Sequence, residues 1–282
     1  MIKKLISILF ALFVLSCVSV SHAETFKIYI GSPPGGPSDL YVRKVVDEAE
    51  KLSTDRFVII NRPGADFMVA YKAFLEESKT NPNVLFVSST GTQVSSYLQH
   101  ADLKLDPLND TKSLILFVRI NFLFAALNES SINSLADLRG NLNIGYSGAT
   151  APLLISRMKL DPAVQTVPFR NDSELMLALL RKDVPLAQIV STNNLISTHK
   201  DKIKIIGNLD KMGIVAGQGF SVAKNFSEDK LLRLNRLFNE VLKQPSTVEW
   251  FAATVNNKPV GGSPADYDRL LNDFKVRILD KQ

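Results

Sequence analysis

Thiols are almost absent from this sequence of 282 residues, whose single cysteine is Cys17. Beyond residue 23 the chain therefore offers no disulfide, no thiol nucleophile and no thiolate metal ligand. Histidine is scarce as well, and His100 and His199 stand alone, outside any paired-histidine metal motif. We accordingly expect two surface histidines, no metal site and no bound cofactor.

Long apolar runs are missing after the N-terminus. Residues 1–23 have two lysines at positions 3 and 4, continue through an apolar stretch from Leu5 to Leu15, and end in Ser-His-Ala. This pattern predicts a secretory signal peptide cleaved after Ala23, because the apolar stretch is too short to span a bilayer. An alternative is a lipoprotein signal that leaves the mature chain anchored at Cys17, although the bulky residue at position 15 fits that signal only loosely.

Neither sign of charge is concentrated in one segment. Lysine and arginine number 33 against 28 aspartates and glutamates, which gives a formal net charge of +5. The two signal lysines account for two of these charges, so +3 remains, a mild excess that favours anionic partners. Because the basic residues are scattered, we expect no binding to nucleic acid.

Short runs of β-forming residues alternate along the chain with stretches whose apolar residues recur at helical spacing. The candidate strands are 26–30, 56–61, 84–88, 114–120, 122–127, 142–146, 165–169, 186–190, 204–206 and 220–223. The clearest helical patterns begin near residue 38 and include 175–180, 231–242 and 267–274. Such alternation predicts an α/β fold built from βαβ units with mainly parallel sheets.

Three strand-to-helix connections carry small, polar or glycine residues where a helix should begin. They are Ser32–Asp39, Ser88–Thr92 and Tyr146–Thr150. In an open α/β sheet, ligands bind at the carboxyl ends of the strands, where helix N-termini offer free N–H groups and a partial positive charge. The same residue types also serve as ordinary turn and cap residues, but their recurrence in three loops favours a site for a small anion.

Catalytic motifs are incomplete in this chain. Gly145–Ala149 resembles a nucleophile elbow without its last glycine, and no histidine is placed to serve Ser147. Gly217-Gln218-Gly219 lacks the third glycine of a dinucleotide motif and precedes a strand-like run, so we interpret it as a flexible joint. The sequence therefore indicates a protein that is not an enzyme.

Five segments, in order along nearly the whole mature chain, resemble the tripartite tricarboxylate transporter receptors, also called Bug-type solute-binding proteins. Pro33–Asp39 is similar to the family's segment of PPGG, any two residues and then Asp, and Asn61–Ala65 is similar to its NRPGA segment. The remaining three similarities are Asn143–Gly148, Val167–Phe169 and Gly261–Tyr267. The first two at this spacing are the more specific.

The resemblance implies a type II periplasmic binding-protein fold, in which two α/β domains joined by two crossovers enclose a ligand cleft. Domain 1 would comprise residues 24–121 and 220–282, and domain 2 residues 122–219. The crossovers would lie near Arg119–Leu123 and Gly217–Ser221. The mature protein would be a monomeric periplasmic receptor that captures a small carboxylate and delivers it to the membrane permease subunits of a transporter.

The resemblance also implies which residues bind the ligand. They are Gly35, Gly36, Pro37, Ser38 and Asp39 in the first loop, Ser147, Gly148, Ala149 and Thr150 in the facing domain, and Ser191 and Thr192 after the strand at 186–190. Ser89, Thr90 and Gly91 are added from the loop pattern. Glycine N–H groups and hydroxyls would donate to the carboxylate, and helix dipoles would favour its charge. Asp39 is expected to orient its own loop, because a carboxylate is a poor partner for an anion.

Departures from the family pattern bear on selectivity. Ser32 stands where the family often has Phe, Asp66 replaces the usual Gly, and Arg170 replaces the common Lys. Asp66 near the cleft would disfavour a second anionic group or favour an amine, whereas Arg170 would do the reverse.

Other functions remain open at this stage. The chain would equally suit a ligand-sensing subunit of a signalling partner. A secreted hydrolase that uses Ser147 or a carboxylate, and an interaction module with a vestigial cleft, are the further alternatives.

Overall fold

The computed structural model describes residues 23–96 and 99–279, which form a mixed α/β fold. The predicted signal peptide and Cys17 lie outside the described residues, apart from Ala23. Within the two described ranges, no helix is both long enough and apolar enough to cross a membrane.

The strands of the described residues form one nine-stranded sheet in the order β2-β1-β3-β9-β4-β7-β5-β6, with β8 paired to β4. Their bounds are β1 Thr25–Ile30, β2 Arg56–Asn61, β3 Val84–Ser89, β4 Thr111–Leu127, β5 Asn143–Ser147, β6 Gln165–Phe169, β7 Leu186–Val190, β8 Ile203–Asn208 and β9 Val215–Ala223. The pairs of β1 with β2 and β3, and of β5 with β6 and β7, are parallel. The prediction of mainly parallel sheets is wrong at the centre, where β4 and β9 run antiparallel to every neighbour.

The α-helices lie between these strands and at the C-terminus. They are α1 Pro37–Leu52, α2 Met68–Glu77, α3 Pro107–Asp110, α4 Thr150–Arg157, α5 Asp172–Leu180, α6 Leu195–Thr198, α7 Glu228–Lys243, α8 Pro245–Trp250 and α9 Pro264–Leu279. Two short π-helical segments, Gly91–Ser96 and Phe251–Val255, follow β3 and α8. The prolines that open α1, α8 and α9 suit a first turn, which needs no N–H donor.

Strand β4 joins the two halves of the molecule. The sequence predicts two strands here, but the structure has a single strand of 17 residues. Its partner changes at one point, because Asn121 is paired with Val215 of β9 whereas Phe122 is paired with Val190 of β7. We call the part with β1, β2, β3, β9 and residues 111–121 the first lobe, and the part with β5 to β8 and residues 122–127 the second lobe.

Each lobe has its own apolar core. In the first lobe, the helical faces of α1 and α7 bury Val42 and Phe238 against the sheet residues Phe117 and Phe220, whose ring centroids are 4.5 Å apart. In the second lobe, Leu175 of α5 lies in a separate buried cluster. Full burial of one such side chain stabilises a fold by roughly 1.5–3 kcal/mol.

Helix α9 packs against both lobes. Tyr267 belongs to a small buried cluster with Leu116 of the first lobe. Further along α9, Phe274 and Ile278 belong to a buried cluster of the second lobe. The Phe274 ring stacks on that of Phe122, with the ring centroids 6.2 Å apart. The segment predicted to lie wholly in domain 1 thus contacts both halves.

The glycines of the predicted flexible joint lie inside strand β9, which corrects that interpretation. A Cβ on Gly219 would stand 1.9 Å from the carbonyl oxygen of Ile115, and one on Gly217 would stand 2.4 Å from Leu270 Cδ2. Glycine is needed here because β4 and α9 approach the backbone closely. These residues are rigid parts of a central strand rather than a joint.

Candidate ligand cleft

The three predicted loops meet at one cavity of about 450 Å³ between the lobes. It is lined by residues that follow β1, β2 and β3 of the first lobe and β5, β6 and β7 of the second. Because the carboxyl ends of parallel strands share one edge of a sheet, each lobe presents its loops on the same side. A cavity of this size suits a small molecule.

Asp39 holds the first loop in shape. It is only 1% exposed, and its carboxylate accepts hydrogen bonds from Gly35 N–H at 2.8 Å, Asn61 Nδ2 at 2.8 Å and Arg43 Nε at 2.8 Å. Burial alone raises the pKa of Asp39, but the hydrogen bonds from Arg43, Asn61 and Gly35 outweigh it and hold the pKa below its ordinary value. The expected role of Asp39 in orienting its own loop agrees with these contacts.

The N-terminus of α1 opens onto the cavity. Gly36 precedes the helix without a side-chain cap, so the first N–H groups of α1 have no side-chain acceptor. Ser38 donates to Gln218 Oε1 at 3.1 Å. A Cβ on Gly36 would lie 2.4 Å from Ser32 Oγ, so the loop has no room for a side chain at this position.

A left-handed turn carries Asp66 and Phe67 onto the cavity wall. The φ angles of Ala65, Asp66 and Phe67 are 43°, 47° and 77°, a conformation that costs each such residue about 1–2 kcal/mol relative to the right-handed region. The Phe67 ring covers Gly31, where a Cβ would lie 2.4 Å from Phe67 Cγ. Asp66 also faces His100 Nε2 at 3.6 Å. Strain of this kind concentrates at functional sites.

The second loop follows β3 and touches the facing lobe. Thr90 Oγ1 accepts from Gly217 N–H at 3.3 Å, and Ser89 Oγ accepts from Thr92 N–H at 3.0 Å. In the π-helical segment after this loop, Ser95 Oγ accepts a hydrogen bond from the Thr150 hydroxyl of the second lobe at 3.1 Å. The cleft is therefore bridged by protein hydrogen bonds at this end.

In the second lobe, Ser147 ends β5 and donates its hydroxyl proton to the carboxylate of Asp172. Gly148 has a φ of +78°, which turns the chain into α4, and α4 starts without a side-chain cap. Burial raises the pKa of Asp172, and the hydrogen bond from Ser147 opposes this. The second lobe thus presents an open helix start next to a partly buried carboxyl group.

The structure brings most of the predicted site residues to the cavity. Those that line it are Gly36, Pro37, Ser38, Ser89, Thr90, Gly91, Ser147, Gly148, Ala149, Thr150 and Thr192, together with Ser32, Asp66 and Arg170. Gly35, Asp39 and Ser191 do not line it. Asp39 and Gly35 bond each other beneath the loop, and Ser191 Oγ accepts from Asn121 N–H at 3.0 Å, so these residues position the wall and are not exposed to the cavity.

Several lining residues escaped sequence analysis. They include Phe67, Phe122, Gln188, Asn193, Gln218 and Asp172. Asn193 is 3% exposed, and its Nδ2 donor has no hydrogen-bond partner among the described residues. The position of Asn193 three residues after β7, just beyond the predicted Ser191 and Thr192, was the available signal.

The chain is similar to known proteins in sequence and in fold. The chain is 28% identical over 218 residues, 72% of this chain and 67% of the relative, to a UPF0065 protein of Bordetella pertussis. MatC of Rhodopseudomonas palustris with bound malate has a TM-score of 0.71 at 18% identity, covering 90% of this chain and 97% of that one. A TctC solute-binding protein from Polaromonas has a TM-score of 0.71 at 14% identity over 91% and 98% of the two chains. No family model matches the chain.

The lobes, their two connections and the cleft between them define a type II periplasmic binding-protein fold. The resemblance of the chain to the tripartite tricarboxylate transporter receptors, the Bug-type solute-binding proteins, is confirmed by the curated relative together with this fold. Of these, the Polaromonas protein is named as a solute-binding protein, and MatC is described with bound malate.

Proposed function

We propose that this protein is a periplasmic receptor that captures a small organic acid in the interdomain cleft and delivers it to a membrane permease. The observation that carries the proposal is the pair of uncapped helix starts, α1 from the first lobe and α4 from the second, that open onto one cavity. Two sets of N–H donors with partial positive charge suit a carboxylate held between two lobes. The malate bound by MatC supports this ligand class.

Loops from both lobes contribute donors to the proposed ligand site. From the first lobe, Ser38 offers its backbone N–H at the α1 start, since Pro37 has no N–H and the Gly36 N–H donates to the Pro33 carbonyl oxygen. From the second lobe, Gly148, Ala149 and Thr150 offer backbone N–H groups at the α4 start. Thr192 adds a hydroxyl beyond the carboxyl end of β7, whereas Ser147 at the end of β5 lines the cavity with its hydroxyl proton donated to Asp172. Asp39 and Ser191 act one step behind the surface, since they fix the backbone that contacts the ligand.

Delivery to a permease requires a change of shape on binding. A ligand that contacts both lobes only when they are closed shifts the population towards the closed form, which the permease then recognises. The pairing of β4 supports a domain boundary at residues 121 and 122, and the start of β9 supports the return at Val215, a few residues before the predicted boundary at 219 and 220. A periplasmic location is part of this proposal and requires the expected cleavage after Ala23.

A thermal-shift screen of residues 24–282 against small mono-, di- and tricarboxylates and amino acids tests the proposal. A ligand that binds only the native state raises the melting temperature by an amount that grows with RT ln(1 + [L]/Kd). We expect a shift with at least one acid, and its loss in Gly36→Val, where the new side chain would collide with Ser32 Oγ, and in Ser147→Leu. Recovery of the acid unchanged after incubation would separate binding from hydrolysis.

A folded Gly36→Val or Ser147→Leu variant that keeps the parent affinity would contradict the site assignment. Leu52→Ala is a suitable control, because Leu52 is 44% exposed at the far end of α1. That variant should retain the full ligand-induced shift. A well-folded parent that no acid stabilises would contradict the receptor function itself.

A further inference from the structure

The second lobe places a carboxyl group where the cleft needs a partner of opposite charge. Asp172 follows β6, and Ser147 ends the neighbouring parallel strand β5, so the hydrogen bond between them fixes the Asp172 carboxyl at the carboxyl edge of the sheet. Asp172 lines the cavity together with Gly148 and Thr150 of the α4 start. Its carboxyl group is therefore next to the open N–H groups that are proposed to bind an acid.

No lysine or arginine among residues 23–96 and 99–279 forms an ion pair with this carboxyl group. In the same described ranges, its one side-chain hydrogen bond comes from Ser147, and Arg170, which also lines the cavity, does not contact it. A simple dicarboxylate enclosed here would face a like charge in a cavity that loses water on closure, where repulsion is strongest. The protein can remove this repulsion with a proton on Asp172 or with a cation on the ligand.

Two features of its position stabilise the charged form of Asp172. Asp172 is the first residue of α5, where the helix dipole stabilises negative charge. The Ser147 hydroxyl donates to it, which also stabilises the ionised form. Burial outweighs them and raises the pKa of Asp172 above its ordinary value. A cationic group brought by the ligand would relieve this cost and keep the carboxylate charged.

A second observation, at Asn193, indicates where the carboxylate of the ligand binds. Asn193 follows β7, the other parallel neighbour of β5, and lines the cavity with a buried Nδ2 donor that has no partner in the described part of the chain. Buried amide donors are rarely left unpaired, so a ligand oxygen is the natural acceptor. Donors and one carboxylate thus converge from three adjacent strand ends.

We propose that the receptor selects acids that also carry an ammonium group, such as amino acids, and that Asp172 is the residue that recognises this group. The proposal rests on the proposed function and names its ligand class. The ligand carboxylate would accept hydrogen bonds from the α4 start and from Asn193. The ammonium group of the ligand would donate to the Asp172 carboxylate. A charge-assisted hydrogen bond of this kind is about twice as strong as a neutral one.

Matched pairs of ligands test the proposal directly. Dissociation constants are measured by titration calorimetry on residues 24–282 for propanoate and L-alanine, succinate and L-aspartate, and glutarate and L-glutamate. Within at least one pair, the member with the amine should bind at least about tenfold more tightly. Asp172→Asn should abolish that preference, because the amide keeps the acceptor for Ser147 but lacks the charge.

Asp183→Asn is the matched control, since Asp183 is exposed in the same lobe and outside the cleft. It should keep the preference of the parent protein. Equal or tighter binding of all three acids without the amine would overturn the inference and leave the receptor function standing, and so would a preference that survives Asp172→Asn. If none of the six probes bound, the ligand class inferred here would fail, and the broader acid screen would decide the receptor function separately.

Discussion

Asp39 supports the first loop through hydrogen bonds and does not itself line the cavity. Its carboxylate joins the Gly35 N–H, the Asn61 amide and the Arg43 guanidinium beneath the first loop. A buried carboxylate with this many donors is costly to replace, because each donor loses a charged partner. The precision of the α1 start therefore depends on a side chain that does not line the cavity.

Asp39→Asn should lower the free energy of unfolding at neutral pH by about 1–3 kcal/mol, since its bonds to charged and backbone donors weaken. The pKa of Asp39 is lowered in the fold, so the stability it provides is present above its ordinary pKa of 3.8 and is lost as pH falls through the lower folded value. Urea unfolding at neutral pH and in strong acid measures both effects, and the difference between parent and variant should shrink in acid.

Asp47→Asn on the same helix provides the comparison, because Asp47 is exposed. Its effect should stay within about 0.5 kcal/mol. An Asp39→Asn variant as stable as the parent protein at neutral pH would show that the loop does not depend on this network.

At the scale of elements, α7 and the first strands are joined by a cluster of charges that the sequence could not reveal. Arg233 pairs with Asp55 and with Glu24, and Lys230 also contacts Glu24, at 2.6 Å. Asp55 is only 1% exposed. Burial raises the pKa of Glu24, but hydrogen bonds and charges from Lys230 and Arg233 outweigh it and lower the pKa overall.

Arg233→Ala should destabilise the protein by about 3 kcal/mol, because it leaves the buried Asp55 without its cation. Arg236→Ala, one turn along the exposed face of α7, is the control and should change stability by less than about 0.5 kcal/mol. Chemical denaturation of both variants makes the measurement. Equal small effects would mean that the Asp55 carboxylate is satisfied by solvent or by Glu24 N–H alone.

Sequence patterns predicted some of the helices and strands and missed others. Helices α1, α5, α7 and α9 were predicted because each has apolar residues at helical spacing, and several strand bounds agree closely with the structure. Helix α2 was missed because it begins after Phe67, which is left-handed and offers no side-chain cap. Such a start carries none of the usual capping signals.

The site residues that were not predicted were missed for a related physical reason. The loops at Gly36 and Gly148 were predicted because local turn chemistry marks them. Gln218 was missed because its flanking glycines suggested a joint, whereas their actual reason is the close approach of Ile115 and Leu270. Contacts between residues so far apart in sequence depend on the tertiary fold, which no local pattern encodes.

At the scale of the whole molecule, α9 connects the lobes from outside the sheet. Phe274 is 1% exposed and packs on Phe122, just beyond the point where β4 changes partners. The N-terminal half of the same helix packs on the first lobe through Tyr267. The relative position of the lobes thus depends on this helix as well as on β4 and β9.

Phe274→Ala should reduce the free energy of unfolding by about 3–5 kcal/mol, the usual cost of a cavity left by a buried aromatic ring. Val276→Ala is its control on the exposed face of α9, where Val276 is 53% exposed. Thermal and urea unfolding would measure both. A small effect of Phe274→Ala would indicate that the C-terminal half of α9 does not secure the second lobe.

The pairing of Asn121 with Val215 has a consequence for the architecture of the chain. Residues 122–214 leave and rejoin β4 and β9 at a single rung, whose two Cα atoms lie about 4.5–5.5 Å apart in any antiparallel ladder. The molecule is in effect a β-hairpin into whose turn a second folding unit has been spliced. The inserted unit carries Ser147, Asp172 and Asn193, whereas the chain on either side of it carries the α1 start, so the cavity lies at the seam between an inserted segment and its host.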